Sequence, residues 1–527
     1  MNNQSTKDKD AISSNGMAAT SHPLATEEAI KILKKGGNAV DAAIAASVVL
    51  SVVEPNATSI GGDCFAIVKM NNKDAVAFNG SGIAPEKINF EFFKDKKIDK
   101  IGLTSPHSVT VPGAIDAWET IHNEFGKLEF EQLFSAGINY CKNGHKVTKV
   151  VSHAWNNSLK KILGNKNSKN IFLNNGKSYQ FSELRKNIPL GNTLELISKK
   201  GVVEFYEGSI ANDMVKSLNA LGGLHTLEDF SKQKTIKSET ISSKYKNIQI
   251  HQCPPNGPGV TVLLMMKLLE KLQINKFKPN SIERFHLEAE VTKQAYKVKE
   301  ENLADPNFVN VNLDKILSDE FIENIYGNIS MNKCSDIGDL NIPSHPETVY
   351  LSVVDKNLNT VSMINSVCYA FGSGITTDKT GIILHNRGTN FRVEEGHPNC
   401  IEGLKRPLHT IIPGMVLDHN GHSSLSYGVM GGQYQPVGQV HVLNNILDFE
   451  MSPQESITFP RAFHFSNIYK LEKEVSKEIK DGLSKIGHNV VHIDDTHGGG
   501  QAIQIDRLKG NLIGGSDPRK DGYAKGY

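Results

Sequence analysis

Thr348-Val349-Tyr350-Leu351-Ser352-Val353-Val354-Asp355 and, after a short polar gap, Thr360-Val361-Ser362-Met363-Ile364-Asn365-Ser366-Val367 form the stretch on which the reading of this chain turns. Both runs are rich in β-branched and apolar residues and read as strands, while Asp355 to Asn359 reads as a loop. Pairing Val354 with Thr360 across that loop sets a register that carries Thr348 to the position opposite Ser366. Two hydroxyls then share one spot at the mouth of a hairpin. A Thr–Ser pair is also an ordinary cross-strand contact, so the hairpin alone carries no chemistry.

Working outward, Thr26 can cap a helix that Gly36-Gly37 ends, and Asn38 starts a second helix toward Leu50. Paired glycines in Ser59-Ile60-Gly61-Gly62-Asp63 precede a strand-like run, and residues 75–78 look like its returning partner. Residues 115 to about 272 read as mainly helical, broken at Pro254-Pro255-Asn256-Gly257-Pro258-Gly259. Helices are expected over 261–272 and 281–303, then an exposed loop over 336–347 in which a scissile bond would be accessible. Beyond Thr348 the expected strands are 381–384, 414–417 and 425–430. Helices over 435–447 and 471–486 follow, with final strands at 490–493 and 502–505. Strands in the middle with helices before and after imply sheets covered by helical layers.

A chain of 527 residues can bury a large core, and 58 basic against 57 acidic residues leave a formal charge of +1. No global field recommends a nucleic acid or an anionic membrane as partner; small uncharged or singly charged molecules fit better as substrates. The polar opening segment, Met1 to Gly16, lacks the apolar stretch of a secretory signal, which points to the cytoplasm. Residues 40–53 are apolar but short and contain Asp41, so a buried helix is expected rather than a membrane span. Six scattered cysteines without Cys-x-x-Cys spacing exclude a disulfide framework. His488 and His492 stand four apart without a carboxylate between them, so no metal site and no cofactor are expected.

Several landmarks occur in order along nearly the whole chain: Gly36-Gly37-Asn38-Ala39-Val40-Asp41-Ala42-Ala43, Val53-Glu54-Pro55, Gly61-Gly62-Asp63 and Val111-Pro112-Gly113. After the hairpin come Lys405-Arg406-Pro407-Leu408, Gly428-Val429-Met430-Gly431-Gly432 and Gly515-Ser516-Asp517-Pro518-Arg519-Lys520-Asp521-Gly522. Together they resemble the gamma-glutamyltransferase (gamma-glutamyltranspeptidase) family of N-terminal nucleophile hydrolases. The resemblance implies an α+β fold, a four-layer αββα sandwich, and a precursor that cuts itself between Glu347 and Thr348. A large subunit of residues 1–347 and a small subunit of 348–527 would then build one shared core, with a dimer of such pairs allowed.

The chemistry of such an enzyme explains these residue types. A threonine hydroxyl needs an adjacent base, and cutting before Thr348 frees an α-amino group with an ordinary pKa of about 7.7–8.0, tethered beside Oγ1. By resemblance Ser366 holds the nucleophile, and Gly431 and Gly432 let backbone N–H groups meet the oxyanion. The recognition half departs from the family. Ser81 stands where an arginine is expected, Cys368 replaces an asparagine, Asn390 replaces an acid, and His409-Thr410 replace a serine pair. These losses strip contacts from one amino-acid head group and suggest altered specificity. Asn386-Arg387-Gly388 and the segment from Arg406 look more like the cytoplasmic branch that includes oxamate amidohydrolases. Arg387 is the candidate carboxylate anchor, or else a structural ion-pair partner. Cys368 reads as a buried small hydrophobe rather than a nucleophile. Cleavage of γ-glutamyl compounds such as glutathione is the leading expectation. An amidohydrolase for oxamate-like or other non-glutamyl amides is the alternative, and an inactive binding scaffold the second.

Overall fold

The computed structural model describes residues 9–338, 340 and 347–527. The elements that frame the site are helices α1 (Pro23–Lys34) and α2 (Ala39–Val53), strands β1 (Asp63–Lys69) and β2 (Ala75–Gly80), and helices α3 (Gly259–Lys271) and α4 (Ile282–Asn302). Strands β3 (Val349–Val354), β4 (Thr360–Ser366), β5 (Gly414–Leu417) and β6 (Ser423–Met430) follow, and then helix α5 (Gln435–Leu447).

These strands belong to two seven-stranded antiparallel sheets. One runs in the order Tyr523–Gly526, Met17–Thr20, β3, β4, β1, β2, Ile236–Glu239. The other runs Ala11–Ser13, Asn511–Ser516, Gly499–Asp506, β6, β5, Ile248–Gln252, Ile241–Tyr245. Phe65, Tyr350, Ile364, Met415 and Met430 pack between them, which makes the sheets the two inner layers. On the outer face of the first sheet, Leu351, Val353 and Met363 join the apolar residues of α2. On the outer face of the second, Val416 and Val429 join α3, α4 and α5. The molecule is therefore the expected four-layer sandwich, and each inner sheet takes strands from both sides of the Glu347–Thr348 bond.

Helix α2 shows why the sequence settles this way. Every one of its residues is buried, and their small size lets the helix lie close on the sheet. Asn38 caps it, accepting from the Val40 and Asp41 N–H groups while the Asp41 carboxylate accepts from the Asn38 N–H. The preceding helix starts earlier than expected. His22 is its cap, its Nδ1 accepting from Leu24 N–H at 3.2 Å, with Pro23 in the first turn, while the Thr26 hydroxyl bonds Thr20 and the Tyr523 carbonyl instead.

Three other expectations are corrected. The helical reading of 115–272 misses the strands Ile236–Glu239, Ile241–Tyr245 and Ile248–Gln252; Ile248, Ile250 and Gln252 alternate with period two, a strand signal. Residues 381–384 form no strand, and Ile383 and Leu384 are tied only by single bridges to Thr376 and Gly61. A short buried apolar run fits either state. The helix expected over 471–486 is only Lys477–Lys485, capped by Ser476, because Leu471 lies in the strand Ile468–Glu472. The loop expected over 336–347 lies largely outside the described residues.

Candidate active site

The hairpin register is the one expected: Val354 pairs with Thr360 and Val349 with Asn365, so Thr348 and Ser366 meet at the open end. Their hydroxyl oxygens are 3.2 Å apart. Both point at the same carbonyl, with Thr348 Oγ1 2.6 Å and Ser366 Oγ 3.1 Å from the Glu347 oxygen. The Cys368 N–H donates to Ser366 Oγ at 2.9 Å, which fixes the serine rotamer, and Gln435 at the start of α5 places Nε2 3.4 Å from Thr348 Oγ1. Thr348 is only 3% exposed. Upstream, Asn56 Nδ2 donates to the Glu347 carboxylate at 3.3 Å. Gly62 packs its Cα against the Ser366 carbonyl so closely that a Cβ there would stand 2.4 Å from that oxygen, which is why a glycine is needed beside the serine.

Gly431 and Gly432 follow β6 with φ of +121° and +60°, the left-handed side of the map that glycine adopts without strain. A Cβ on Gly431 would also stand 2.8 Å from Gly498 Cα. Helix α4 braces this turn from behind, the Tyr296 hydroxyl donating to the Gln433 carbonyl and Lys299 Nζ donating to Gln433 Oε1 at 2.7 Å. Downstream of Ser366, Lys161 Nζ donates to the Ala370 and Gly372 carbonyls at 2.6 and 3.0 Å, and burial lowers its pKa to about 8.

Beside the Thr348–Ser366 pair lies a fully buried charged knot centred on Asp63. Its Oδ2 takes His385 Nδ1 at 3.0 Å, Arg387 Nε at 3.1 Å and His409 Nε2 at 3.1 Å, and its Oδ1 accepts from Gly82 N–H at 3.1 Å. Burial opposes ionisation of Asp63, but the charge and hydrogen bond of His385 and the hydrogen bond of His409 hold its carboxyl well below the usual range. Burial, reinforced by Arg387, lowers His409 to about 3, so its ring is neutral at neutral pH. The Ile411 N–H donates to its Nδ1 at 3.3 Å, which leaves the proton on Nε2 to bond Asp63.

The structure gathers most of the expected recognition residues around this knot. Arg387 Nη1 donates to the Thr410 hydroxyl at 3.0 Å, while its Nη2 is buried without a hydrogen-bond partner. Arg387 is therefore an ion-pair partner of Asp63 that keeps one donor in reserve. Asn390 donates to the Leu408 carbonyl at 3.0 Å, with its Oδ1 4.0 Å from the Cys368 sulfur. Cys368 is buried and its thiol is pushed up by that burial, in keeping with a non-nucleophilic role. Ser81 belongs to a neighbouring polar cluster, bonding Asn79 Oδ1 at 2.6 Å and Asn256 Nδ2 at 3.2 Å, with Arg406 Nη1 3.4 Å away. Asn390, His409 and Gln433 line a narrow cleft with room for about one water, about 10 Å³, which the Glu300–Arg392 ion pair at 2.6 Å also lines.

Asp63, His385, Gln435, Glu300 and Arg392 were not among the expected site residues. The Gly-Gly-Asp landmark holds one of them, but no spacing rule ties residue 63 to residue 385. The same holds for a second cluster. The sequence offers no metal-ligand spacing, yet His286, Glu290 and His488 bring one ligand atom each within 4.8 Å of one another. His286 Nδ1 lies 2.7 Å from His488 Nε2, and Lys293 already takes the Glu290 carboxylate at 2.6 Å.

A threonine and a serine hydroxyl aimed at one peptide carbonyl, at the end of two central strands of an antiparallel sheet inside an αββα sandwich, define the class of enzymes whose nucleophile is the first residue released by self-cleavage. The chain belongs to the gamma-glutamyltranspeptidase family: the model of that family, described as Gamma-glutamyltranspeptidase, matches residues 25–527. It is 32% identical over 98% of its length to the glutathione hydrolase-like YwrD proenzyme of Bacillus subtilis, 99% of which is covered. It is 28% identical, over 98% of its own length and 99% of the relative's, to the oxamate amidohydrolase proenzyme of Klebsiella pneumoniae. Among solved structures, cephalosporin acylase from Bacillus halodurans superposes with a TM-score of 0.92 at 30% identity, covering all of this chain and 98% of that one. The protein is thus an enzyme of this self-processing type.

Proposed function

We propose that the chain is a self-processing amide hydrolase and acyltransferase that cleaves γ-glutamyl compounds of the glutathione type through an ester on Thr348. The observation that carries this reading is the Thr348 hydroxyl held against the Glu347 carbonyl by Ser366. Attack of Oγ1 on that carbonyl carbon closes a five-membered ring. Its collapse with loss of the Thr348 nitrogen leaves an ester and a free amine, and water then releases the Glu347 carboxylate. The products are a subunit of residues 1–347 and one of 348–527. The new α-amine accepts the Oγ1 proton in each later turnover, while Gly431 and Gly432 supply backbone donors for the oxyanion. Neither a metal nor a cofactor enters these steps.

In this reading Arg387, whose Nη2 has no hydrogen-bond partner, is the anchor for a substrate carboxylate, with Thr410 holding its Nη1, Asn390 and His409 lining the adjoining cleft, and Ser81 completing the set. The replaced head-group residues favour a second reading, an amidohydrolase for oxamate-like acidic amides, the activity named for the Klebsiella relative. The complete catalytic set argues against an inactive scaffold. No helix among the described residues is long and apolar enough to cross a membrane.

The deciding experiment sequences the N-terminus of the small fragment. It then measures release from a γ-glutamyl anilide, with and without glycylglycine, beside ammonia release from oxamate. The proposal expects Thr-Val-Tyr at the new terminus and turnover of the anilide. Turnover of oxamate alone would move the assignment to the second reading, and an uncut chain would refute both. Arg387→Lys is expected to raise KM for the acidic substrate several-fold.

A further inference from the structure

Gln435 is the first residue of α5, and its side chain is wholly buried. A carboxamide can present either end to a neighbour, and here the neighbours decide which. The Ile412 N–H can only donate, and it donates to Gln435 Oε1 at 3.0 Å. The NH2 end therefore faces Thr348, with Nε2 3.4 Å from Oγ1. Ile412 is itself held in place. One turn further along α5, Gln439 Nε2 donates to the Ile412 carbonyl at 2.7 Å, while its Oε1 accepts from Gln252 Nε2 at 2.7 Å. Two glutamines four apart, on one face of the helix, thus fix both backbone polar groups of one residue, and Gln435 is left a single way to point.

The hydrogen bonds at the hairpin mouth give this donor a task. The Thr348 hydroxyl lies 2.6 Å from the Glu347 carbonyl oxygen, and Ser366 Oγ accepts from the Cys368 N–H, so the serine proton goes to the Glu347 carbonyl or to Thr348 Oγ1. When Oγ1 loses its proton and attacks, negative charge gathers on it before the new bond closes. When water later opens the ester, the same oxygen departs as charge returns to it. A fixed N–H on Oγ1 strengthens in both steps and is already oriented when the charge appears. The 3.4 Å contact is long, as catalytic hydrogen bonds are before the reacting group becomes charged.

We infer that Gln435 is a catalytic donor to Thr348 Oγ1, stabilising that oxygen as the nucleophile in self-cleavage and acylation and as the leaving group in ester hydrolysis. The inference rests on the reading of Thr348 as nucleophile and extends it, without depending on which amide is the substrate. Gln435 gives up no proton in any step. In self-cleavage the Oγ1 proton ends on the departing Thr348 nitrogen. In acylation it passes through the freed α-amine to the leaving group of the substrate. In ester hydrolysis the amine takes a proton from water and returns one to Oγ1 as the bond between the acyl carbon and Oγ1 breaks. The Gly431–Gly432 turn answers charge on the substrate oxygen, and Gln435 answers charge on the enzyme's own.

The test uses the full chain, with wild type first shown to cut. Gln435→Glu separates the donor from the tie to Ile412, since a carboxyl keeps an oxygen for the Ile412 N–H but loses the amide protons. Ionised, it turns an acceptor toward Thr348; protonated, it offers an O–H. Timed by band splitting, its uncut precursor is expected to process about tenfold to a hundredfold more slowly than wild type at alkaline pH, and to speed up as the pH falls. Gln435→Met, of similar length and without a donor, should lose kcat by a similar factor at every pH with KM for the hydrolysed amide unchanged. Should Gln435→Glu fail to fold, Gln435→Met decides alone. Wild-type processing and kcat in either variant overturn the inference. So does a loss in Gln435→Glu that is indifferent to pH, or an effect of Gln435→Met confined to KM, because each leaves Gln435 as a tie between α5 and Ile412. An uncut wild type is a different failure: it removes Thr348 as the nucleophile, and this inference falls with it.

Discussion

The mouth of the nucleophile hairpin and the floor of the pocket beside it are neighbours built by opposite means. At the mouth, Thr348, Ser366 and the Glu347 carbonyl are neutral groups brought together by the register of two adjacent strands. On the floor, Asp63, His385, Arg387 and His409 are ionisable groups buried completely or almost so, delivered by three separated segments. Neutral hydroxyls cost little to bury, and backbone pairing places them. A buried ionic knot costs desolvation for every member and holds only while all of its partners are present. Damage at the mouth should therefore abolish chemistry with little loss of stability, and damage on the floor should cost stability and, through Arg387, substrate binding.

Thr348→Ala is the sharpest test of the first half. It should run as a single uncut band and lose turnover by at least about 10³-fold, the scale of removing an essential nucleophile. Its denaturation midpoint should stay near that of an uncut control, since only one neutral hydroxyl is lost and the strand pairing stays. Denaturing gels and steady-state rates check the first part, and urea denaturation the second. Asp63→Ala tests the floor. It strands the Arg387 guanidinium in a dry site, and breaking such a pair typically costs about 3–5 kcal/mol. Asp63→Asn, which keeps an acceptor, should lose less. If urea titration shows Asp63→Ala as stable as wild type, the knot is not what shapes the floor.

Ser366→Ala should have a smaller effect at the mouth. It removes one of two hydroxyls on the Glu347 carbonyl and one partner of Thr348, interactions worth about 1.5–3 kcal/mol where charge develops. Self-cleavage should slow by about tenfold to a hundredfold. Ser366→Thr keeps the hydroxyl and should process normally. Time courses of band splitting separate these outcomes, and equal rates for Ser366→Ala and wild type would remove the serine from the mechanism.

The same contrast explains what could be read from the sequence. Hairpin register is local: period-two alternation and a five-residue loop are enough to put Thr348 opposite Ser366. The Gly431-Gly432 turn is equally local, because positive φ selects glycine. The floor is not local. Asp63 meets residues 385, 387 and 409 only after β1 has paired with β4, and no spacing in the chain encodes that meeting. Arg387 was legible as an unusual charge but not as the partner of Asp63. The His286, Glu290 and His488 cluster escaped for the same reason, with its third member about two hundred residues from the first two. Errors in the fold came where short segments satisfy two periodicities, as in the strand Ile248–Gln252.

Glu54 sharpens the comparison through pH. It lies just past α2, and burial, opposed by a hydrogen bond from Ser21 and reinforced by Asp521 and Glu347, raises its carboxyl from 4.5 to about 8. The folded protein therefore keeps a proton that the unfolded chain gives up above pH 4.5. The stability this group contributes is fully present below that pH and declines as pH rises toward 8, by about 1.4 kcal/mol per pH unit at the steepest. Glu54→Gln removes the ionisation while its amide oxygen can still accept from Ser21. The variant's melting temperature relative to wild type should therefore rise steadily between pH 5 and pH 8 and level off above. A constant difference across that window would show that Glu54 is already ionised in the folded state.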